Sequence, residues 1–160
     1  MKLLQYELLV DNDVGRYYLS EKQVLYEGTV RKLTKPRQVV DLVVKLFKMR
    51  QLAEEHVYMV AVDNKNSPLG IFFISKGTVN STLLTTREIL VRALLVGATG
   101  LFVVHNHPSG ESLPSSADIK TTRSLEDGCK LVGLRLVDHI IIGNHDYYSI
   151  KTEVLANESV

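Results

Sequence analysis

Short apolar runs separated by polar turns occupy the first 33 residues of the chain. Residues 3–10 are mostly apolar, and the polar turn 11–13 follows them. Two shorter apolar runs come next, at residues 17–19 and 24–26. Apolar runs of this length between turn residues are typical of β-strands. This region therefore predicts a series of short strands.

Three later segments show the three- and four-residue spacing of apolar positions that is typical of amphipathic helices. Pro36 suits the first turn of the first helix, and the Thr85-Thr86-Arg87-Glu88 sequence resembles a capping box at the start of the second. Gly97 and Gly100 are expected to end the second helix, and Gly133 is expected to end the third. The predicted helices run over residues 36–52, 85–97 and 115–131.

Between and after these helices, apolar runs bounded by turn residues predict further strands. They cover residues 56–62, 69–75, 101–104, 134–142 and 147–150. The polar turns 63–66 and 143–146 each separate two of them, which predicts hairpins. Intermixed strands and helices predict an α/β domain with a mixed sheet and helices packed on it.

Composition and charge narrow the class of protein. The 160 residues suit one domain with a real core, and 45% hydrophobic with 23% charged residues is ordinary for a globular protein. A net charge of +1 argues against a broad nucleic-acid footprint. Cys129 is the single cysteine, which excludes an internal disulfide framework and Cys-rich zinc sites. No apolar run of membrane-spanning length and no signal-peptide pattern is present, so we expect a cytoplasmic protein without membrane contact.

His105 and His107 are the strongest candidates for chemistry. They end an apolar run, and alternation along a strand points residues i and i+2 to the same side. After a loop containing Pro108, Gly110 and Pro114, Asp118 offers a carboxylate from the next helix. Two neutral nitrogens, one anionic oxygen and one open position are what a hydrolytic zinc site requires.

Ser115 and Asp118 also have a purely structural interpretation. Ser-x-x-Asp resembles a capping box, in which Ser115 caps the helix and Asp118 stabilises its positive end. The structural and catalytic interpretations are compatible. Glu54 and Glu55 open a predicted strand and are both candidates for a general base. They would point to opposite faces, so only one of them can reach the metal, and solvated surface glutamates remain the alternative.

The motif resembles a known family. His105-x-His107, seven residues, Ser115, two residues and Asp118 match the JAMM motif of the MPN+ metalloproteases. The sequence His-Asn-His-Pro-Ser-Gly followed by Pro-Ser-x-x-Asp is similar to the bacterial RadC branch. The resemblance covers roughly residues 36–152, and its further landmarks are residues 55–56, 63–66, 77–80, 87–88, 138–143 and 148–149.

That resemblance implies a curved mixed β-sheet flanked by helices, a JAB/MPN-like and cytidine-deaminase-like architecture. It implies Zn²⁺ held by His105, His107 and Asp118. It also implies Glu55 as the base that activates water and Ser115 as a donor to the oxyanion. The implied activity is hydrolysis of peptide or isopeptide bonds, with a peptide or protein as the substrate.

The resemblance also sets the expected domain plan. Longer members of the branch carry a helix-hairpin-helix DNA-binding module and a DNA-repair label, whereas short strands are predicted here in its place. We expect a short, stand-alone form with an N-terminal extension packed on the domain. The plan is 1–35 for the extension, 36–152 for the RadC-like domain and 153–160 for a flexible tail. DNA and a second copy of the chain, paired through a free strand edge, are further candidate partners.

Two other enzyme classes fit poorly. In HNH nucleases the letters His-Asn-His are dispersed over a ββα unit, so the adjacent string here is a coincidental match. A zinc deaminase requires a Cys-x-x-Cys pair, which one cysteine excludes. The principal alternative is a non-catalytic, DNA-repair-associated accessory or scaffold protein that retains the zinc site.

The remaining histidines and the cysteine receive structural interpretations. His139 is expected to be packed or hydrogen-bonded rather than a ligand, with a supporting role through Asp138 as an alternative. We expect His56 to face away from Glu55, His145 to be solvated in a turn, and Cys129 to be a core thiol.

Overall fold

The computed structural model of the chain describes residues 2–25, 32–77 and 85–152. Seven strands and three α-helices lie in these ranges. The strands are β1 (Lys2–Asp11), β2 (Arg16–Leu25), β3 (Glu55–Val62), β4 (Pro68–Gly77), β5 (Gly100–Asn106), β6 (Arg135–Ile142) and β7 (Tyr147–Ser149). The helices are α1 (Pro36–Phe47), α2 (Thr86–Leu95) and α3 (Ser116–Leu131), and a short 3₁₀ turn covers Met49–Gln51.

All seven strands form one mixed sheet in the order β2-β1-β4-β3-β5-β6-β7. The pairs β1–β4 and β5–β6 are parallel, and the other four pairs are antiparallel. The predicted α/β class with a mixed sheet and flanking helices is therefore confirmed. The β1–β2 hairpin continues the sheet beside β4, so the N-terminal strands share the sheet of the rest of the chain.

The two faces of the sheet carry separate apolar cores. On one face, α1 buries Val39, Val40, Leu42 and Val43 against alternate residues of the central strands. On the other face, α2 and α3 bury Ile89, Ala93, Leu125 and Cys129. Because β5 is covered on both faces, every one of its residues is buried, which explains its uninterrupted apolar run. Among the described residues, no helix combines the length and the apolar character needed to cross a membrane.

The N-terminal strands differ from the prediction. One ten-residue strand, β2, replaces the two short strands expected at 17–19 and 24–26, and Tyr26 lies outside the described residues. Polar residues 20–22 break the apolar pattern but pair with β1 across Glu7, Tyr6 and Gln5. At the outer edge of a sheet, such exposed polar positions are compatible with pairing, so the short-strand prediction was wrong. Residues 153–160, the predicted tail, also lie outside the described residues.

Helix α1 ends at Phe47 rather than near Leu52. Lys48 adopts the left-handed conformation, with φ of 52°, and its N–H bonds the carbonyl of Val44. That geometry terminates the helix. The apolar pattern continues because Met49 in the following 3₁₀ turn is buried against the same core, so helical periodicity overestimated the length.

The predicted capping box at Thr85 is wrong as well. Within the described part of the chain, the Thr85 side chain makes no capping hydrogen bond. The Glu88 carboxylate instead pairs with Arg92, at 2.8 Å, and with Arg87, at 3.0 Å. These charged partners compete for the acceptor that the box would have required. Helix α2 nevertheless begins at Thr86, where it was expected.

Three chain segments meet at one end of the sheet. Strand β5 ends there, and β3, being antiparallel to it, begins there at Glu55. The loop after β5 crosses this end and leads into α3 at Ser116. Side chains from the end of β5, the start of β3 and the start of α3 can therefore converge.

Candidate metal centre

The two histidines at the end of β5 face the same point. The Nε2 atoms of His105 and His107 lie 3.0 Å apart. His105 is buried, at 2% exposure, because β3 and β6 flank its strand and its side chain lies against His139 and Asp118 of α3. His107 follows the last residue of β5, and its N–H bonds the carbonyl of Ile142 at 3.0 Å, which continues the ladder with β6.

Asp118 brings the third ligand atom from the first turn of α3. Its Oδ1 lies 3.3 Å from Nε2 of His105, and its Oδ2 lies 3.6 Å from Nε2 of His107. One atom from each of the three side chains falls within 4.8 Å of the others, so the group can hold a metal ion. Around a tetrahedral ion with bonds of about 2.0–2.2 Å, ligand atoms are separated by about 3.3 Å. The separations of 3.0 Å between the two nitrogens and of 3.3 Å between Asp118 Oδ1 and His105 are close to that value, and one Asp118 oxygen and both nitrogens lie within 4.8 Å of one another.

The hydrogen bond at the far side of the His107 ring defines its tautomer. Nδ1 lies 2.9 Å from the carbonyl oxygen of Glu111. A carbonyl oxygen only accepts, so Nδ1 carries the proton and donates. In the neutral ring, Nε2 is then left with its lone pair directed toward His105 and Asp118.

A longer chain of hydrogen bonds does the same for His105. The Thr122 hydroxyl donates to the Asp118 carbonyl at 2.6 Å, which uses its only proton, so it accepts from Nδ1 of His139, also at 2.6 Å. His139 Nε2 is then an acceptor and receives the Nδ1 proton of His105 at 2.9 Å. Two metal-binding lone pairs therefore face each other, an arrangement that a cation between them stabilises.

The electrostatics of the site favour positive charge. Hydrogen bonding to Asp118 raises the pKa of His107 above its ordinary value, although partial burial opposes this. Burial would raise the pKa of Asp118, but its contacts with His105 and His107 outweigh burial and hold that pKa far below its usual range. Burial lowers the pKa of His139 well below the usual value, so this ring stays neutral and can relay hydrogen bonds as described.

Comparison with known proteins agrees with this geometry. A family model described as the RadC-like JAB domain matches residues 33–155. The chain belongs to the RadC family.

Several curated relatives share most of this RadC-family chain. A protein named UPF0758 from Desulfitobacterium hafniense is 39% identical over 134 residues, which cover 83% of this chain and 58% of the relative. Relatives with the same designation from Clostridium acetobutylicum and Methanosarcina mazei are each 37% identical, over 78% and 82% of this chain and 53% and 56% of their own lengths. The chain thus spans less than two thirds of these relatives, and their names state no activity.

Ser115 acts as the N-cap of α3 in this RadC-family structure, as the structural interpretation predicted. Its hydroxyl accepts from the Asp118 N–H at 3.2 Å, and the Asp118 carboxylate accepts from the Ser115 N–H at 2.7 Å. The Ser115 hydroxyl also donates to Asp118 Oδ2 at 2.6 Å. This capping box fixes the rotamer of the Asp118 carboxylate and so holds one candidate ligand in place.

The two candidate bases occupy different environments. Glu55 lines a small cavity of about 50 Å³ together with His105 and Asp118. Glu54 is exposed and forms an ion pair with Lys76 on β4. Of the two carboxylates, Glu55 is therefore the one that shares a cavity with the metal-binding group.

The other predicted residues lie as follows. His139 is buried and hydrogen-bonded to His105, as expected for a packed histidine, and the alternative role through Asp138 is not supported, because that carboxylate accepts from the His139 backbone N–H at 2.8 Å and not from its ring. His56 packs on Phe73 on the sheet face opposite Glu55. Cys129 is fully buried, and burial raises the pKa of its thiol to about 11, as suits a core residue.

Sequence reasoning missed Thr122 and Asn106. Thr122 lies one helical turn after Asp118, so its spacing already placed it on the same side of α3, but a threonine carries no ligand signature. Asn106 lies between the two histidines and points away from them by strand alternation. Its partners are His56 of β3 and Glu54 just before that strand, some 50 residues earlier, and no local pattern indicates them.

Proposed function

We propose that this chain is a zinc-dependent hydrolase of peptide or isopeptide bonds. The observation that carries the proposal is the convergence of two imidazole lone pairs and the Asp118 carboxylate within 4.8 Å beside the cavity that Glu55 lines. Two nitrogens and one carboxylate oxygen form the donor set of a catalytic zinc site, which leaves a position for solvent or substrate. Membership of a JAB-domain family supports the same reaction class.

A bound divalent ion would polarise the scissile carbonyl and lower the pKa of a water molecule. Glu55 accepts a proton from the attacking water as its oxygen bonds to the carbonyl carbon. The carbon–nitrogen bond then breaks, and Glu55 returns the proton to the leaving amine. This role requires only that the Glu55 carboxylate reach the cavity that it already lines.

Ser115 is proposed as a donor to the oxyanion. In the present structure its hydroxyl donates to Asp118 Oδ2, so it must rotate toward the substrate oxygen during the reaction. Ser115 is exposed and its backbone N–H also holds Asp118, at 2.7 Å, so rotation of the hydroxyl leaves one contact to the carboxylate intact. Loss of one oxyanion donor typically lowers turnover by about 10²–10³-fold.

The test begins with metal analysis of the purified protein, followed by screening against peptide and isopeptide libraries with and without a chelator. We expect cleavage that depends on stoichiometric zinc. Glu55→Gln should retain zinc and lose turnover by about 10²–10⁴-fold, because the amide cannot accept the proton. Glu54→Gln, which removes a neighbouring carboxylate directed at Lys76, is the matched control and should cleave like the parent.

Three results would contradict the proposal or its choice of Glu55 as the base. Full cleavage by Glu55→Gln would remove Glu55 from its role as the base, and loss in Glu54→Gln would assign that role to the other glutamate. An absence of hydrolysis in the zinc-loaded parent, together with binding of branched or single-stranded DNA at physiological salt, would favour the accessory role instead.

A further inference from the structure

We propose that Asn106, the residue between the two histidines, is the positioning residue that fixes Glu55 relative to the metal-binding group. This inference rests on the proposed function, because it concerns the residue assigned there as the base. Asn106 is buried, at 2% exposure, and its side chain points to the start of β3.

The Asn106 amide holds the two peptide groups that flank Glu55. Its Oδ1 accepts from the N–H of His56 at 2.9 Å, and its Nδ2 donates to the carbonyl of Glu54 at 3.1 Å. The Glu54 carbonyl belongs to the peptide group before Glu55, and the His56 N–H belongs to the one after it. Both backbone attachments of Glu55 are therefore tied to a single side chain.

These two bonds extend the sheet beyond its backbone ladder. The last residue pair of β3 with β5 is Val57 with His105, so Glu55 lies past the end of that ladder. The Asn106 amide replaces the next rung, since a primary amide offers a donor and an acceptor in one plane, as a peptide group does. Aspartate would retain the acceptor but lose the donor, and an apolar residue would lose both.

Asn106 lies where its two hydrogen bonds to the backbone around Glu55 can affect the candidate metal centre. Asn106 is directly adjacent to both histidines, since His105 precedes it and His107 follows it. Its own backbone is fixed by pairing with Ile142 of β6. Glu55 also pairs with Gly77 of β4, and the two Asn106 hydrogen bonds add a direct link from its backbone to the strand that carries the imidazoles, which helps to hold a base within reach of its proton.

A positioning role and a merely structural role predict different results. If Asn106 only closes the end of the sheet, its loss lowers stability and leaves turnover of the folded, zinc-loaded protein unchanged. If it positions Glu55, kcat falls while KM and zinc content stay near the parent values. A misplacement of about 1 Å can lower a rate by about 10²-fold.

The experiment compares Asn106→Ala and Asn106→Asp with Asn64→Asp, a matched change at an exposed asparagine in the β3–β4 turn. Steady-state kinetics, zinc content and amide hydrogen exchange are measured on each zinc-loaded protein. We expect kcat to fall about 100-fold in Asn106→Ala and about 10-fold in Asn106→Asp, which keeps one of the two bonds. Exchange at the His56 N–H should accelerate at least about 10-fold in the alanine variant and stay slow in the other two.

An unchanged kcat in both Asn106 variants, or unchanged exchange at His56 in Asn106→Ala, overturns the inference. Loss of zinc in Asn106→Asp also overturns it, because the residue would then support the ligands rather than the base. If Asn106→Ala does not fold, the kcat of Asn106→Asp alone tests the positioning role, and an unchanged value overturns it. Failure of the proposed function looks different: the parent itself does not cleave, or Glu55→Gln remains active, while His56 exchange still reports the hold of Asn106 on this segment.

Discussion

Two aspartates of this molecule lie in polar clusters of opposite character. Asp138 is surrounded by donors, since its carboxylate accepts from the His139 N–H, the Lys151 N–H and the Ser149 hydroxyl at 2.6–3.2 Å. Asp118 is bonded by Ser115 on one side, but on the other it faces two imidazole nitrogens whose lone pairs point back at it. One cluster is satisfied by donors within the chain, and the other directs its acceptor atoms at a position that a cation can take.

The comparison shows how a structural carboxylate and a candidate metal-binding carboxylate differ within one chain. Burial raises the pKa of Asp138 despite its donors, because placing the ionised carboxylate in the core costs free energy. Burial would raise the pKa of Asp118, but hydrogen bonds and positive charge from His105 and His107, when these rings are protonated, outweigh burial and lower it, so this position stabilises positive charge. Both aspartates lie close to a histidine, so proximity to histidine does not distinguish the two roles. They differ in whether the neighbouring groups point their protons or their lone pairs at the carboxylate.

The largest expected effect comes from replacing Asp118, the carboxylate of the candidate metal centre. Asp118→Asn should lower zinc affinity by more than about 100-fold, beyond the range typical of supporting residues, because the neutral amide supplies no anionic ligand. The amide oxygen can still accept from Ser115, so α3 should remain capped and the fold intact. Competition with a chromophoric chelator measures the affinity, and circular dichroism checks the fold. Parent-like affinity would show that Asp118 is not a ligand.

The complementary change is made in the complete cluster. Ser149→Ala removes the donor that lies 2.6 Å from Asp138 Oδ2 and leaves a buried carboxylate oxygen without it. The free energy of unfolding should fall by about 1–3 kcal/mol, with zinc affinity unchanged. Urea denaturation of the metal-free protein and the same chelator competition test the two statements. A drop in zinc affinity would mean that the clusters are coupled.

The pH dependence of that stability loss has a definite sign. Because the folded-state pKa of Asp138 lies above the ordinary value of 3.8, folding favours its protonated form, and this group's contribution to stability declines as the pH rises above that value. Removing a donor from the ionised form makes the decline steeper. The loss in Ser149→Ala should therefore be larger near pH 7 than near pH 4. An equal loss at both values would contradict the assignment.

The smallest expected effect concerns the hydrogen-bond chain behind His105. Thr122→Val keeps the shape of the side chain but removes the acceptor for His139 Nδ1. The tautomers of His139 and His105 that leave the lone pair on His105 Nε2 are then no longer enforced. Zinc affinity should fall by about 10-fold, the lower end of the range for residues that orient a ligand. Thr99→Val, at an exposed threonine before β5, is the matched control. Equal affinities in both variants would remove Thr122 from the site.

The sequence predicted the fold class and brought His105, His107 and Asp118 forward because their signals are local. A strand that is buried on both faces reads as an apolar run, and the two histidines share a side by simple alternation. The end of α1 could not be predicted from periodicity, since Met49 continues the apolar pattern after Lys48 has left the helix. The contacts of Thr122 and Asn106 join segments that are distant in sequence, and their residue types occur throughout proteins in unremarkable roles.

The capping box at the start of α3 has a consequence for how an ion would enter the candidate metal centre. Ser115 already orders the Asp118 carboxylate, and the rings of His107 and His105 are held by Glu111 and His139. The three candidate ligands are therefore in place before a metal ion binds. Capture then requires little rearrangement of the polypeptide, and its speed is governed by the shedding of water from the incoming ion. The folded apoprotein should accordingly survive repeated cycles of extraction and reloading.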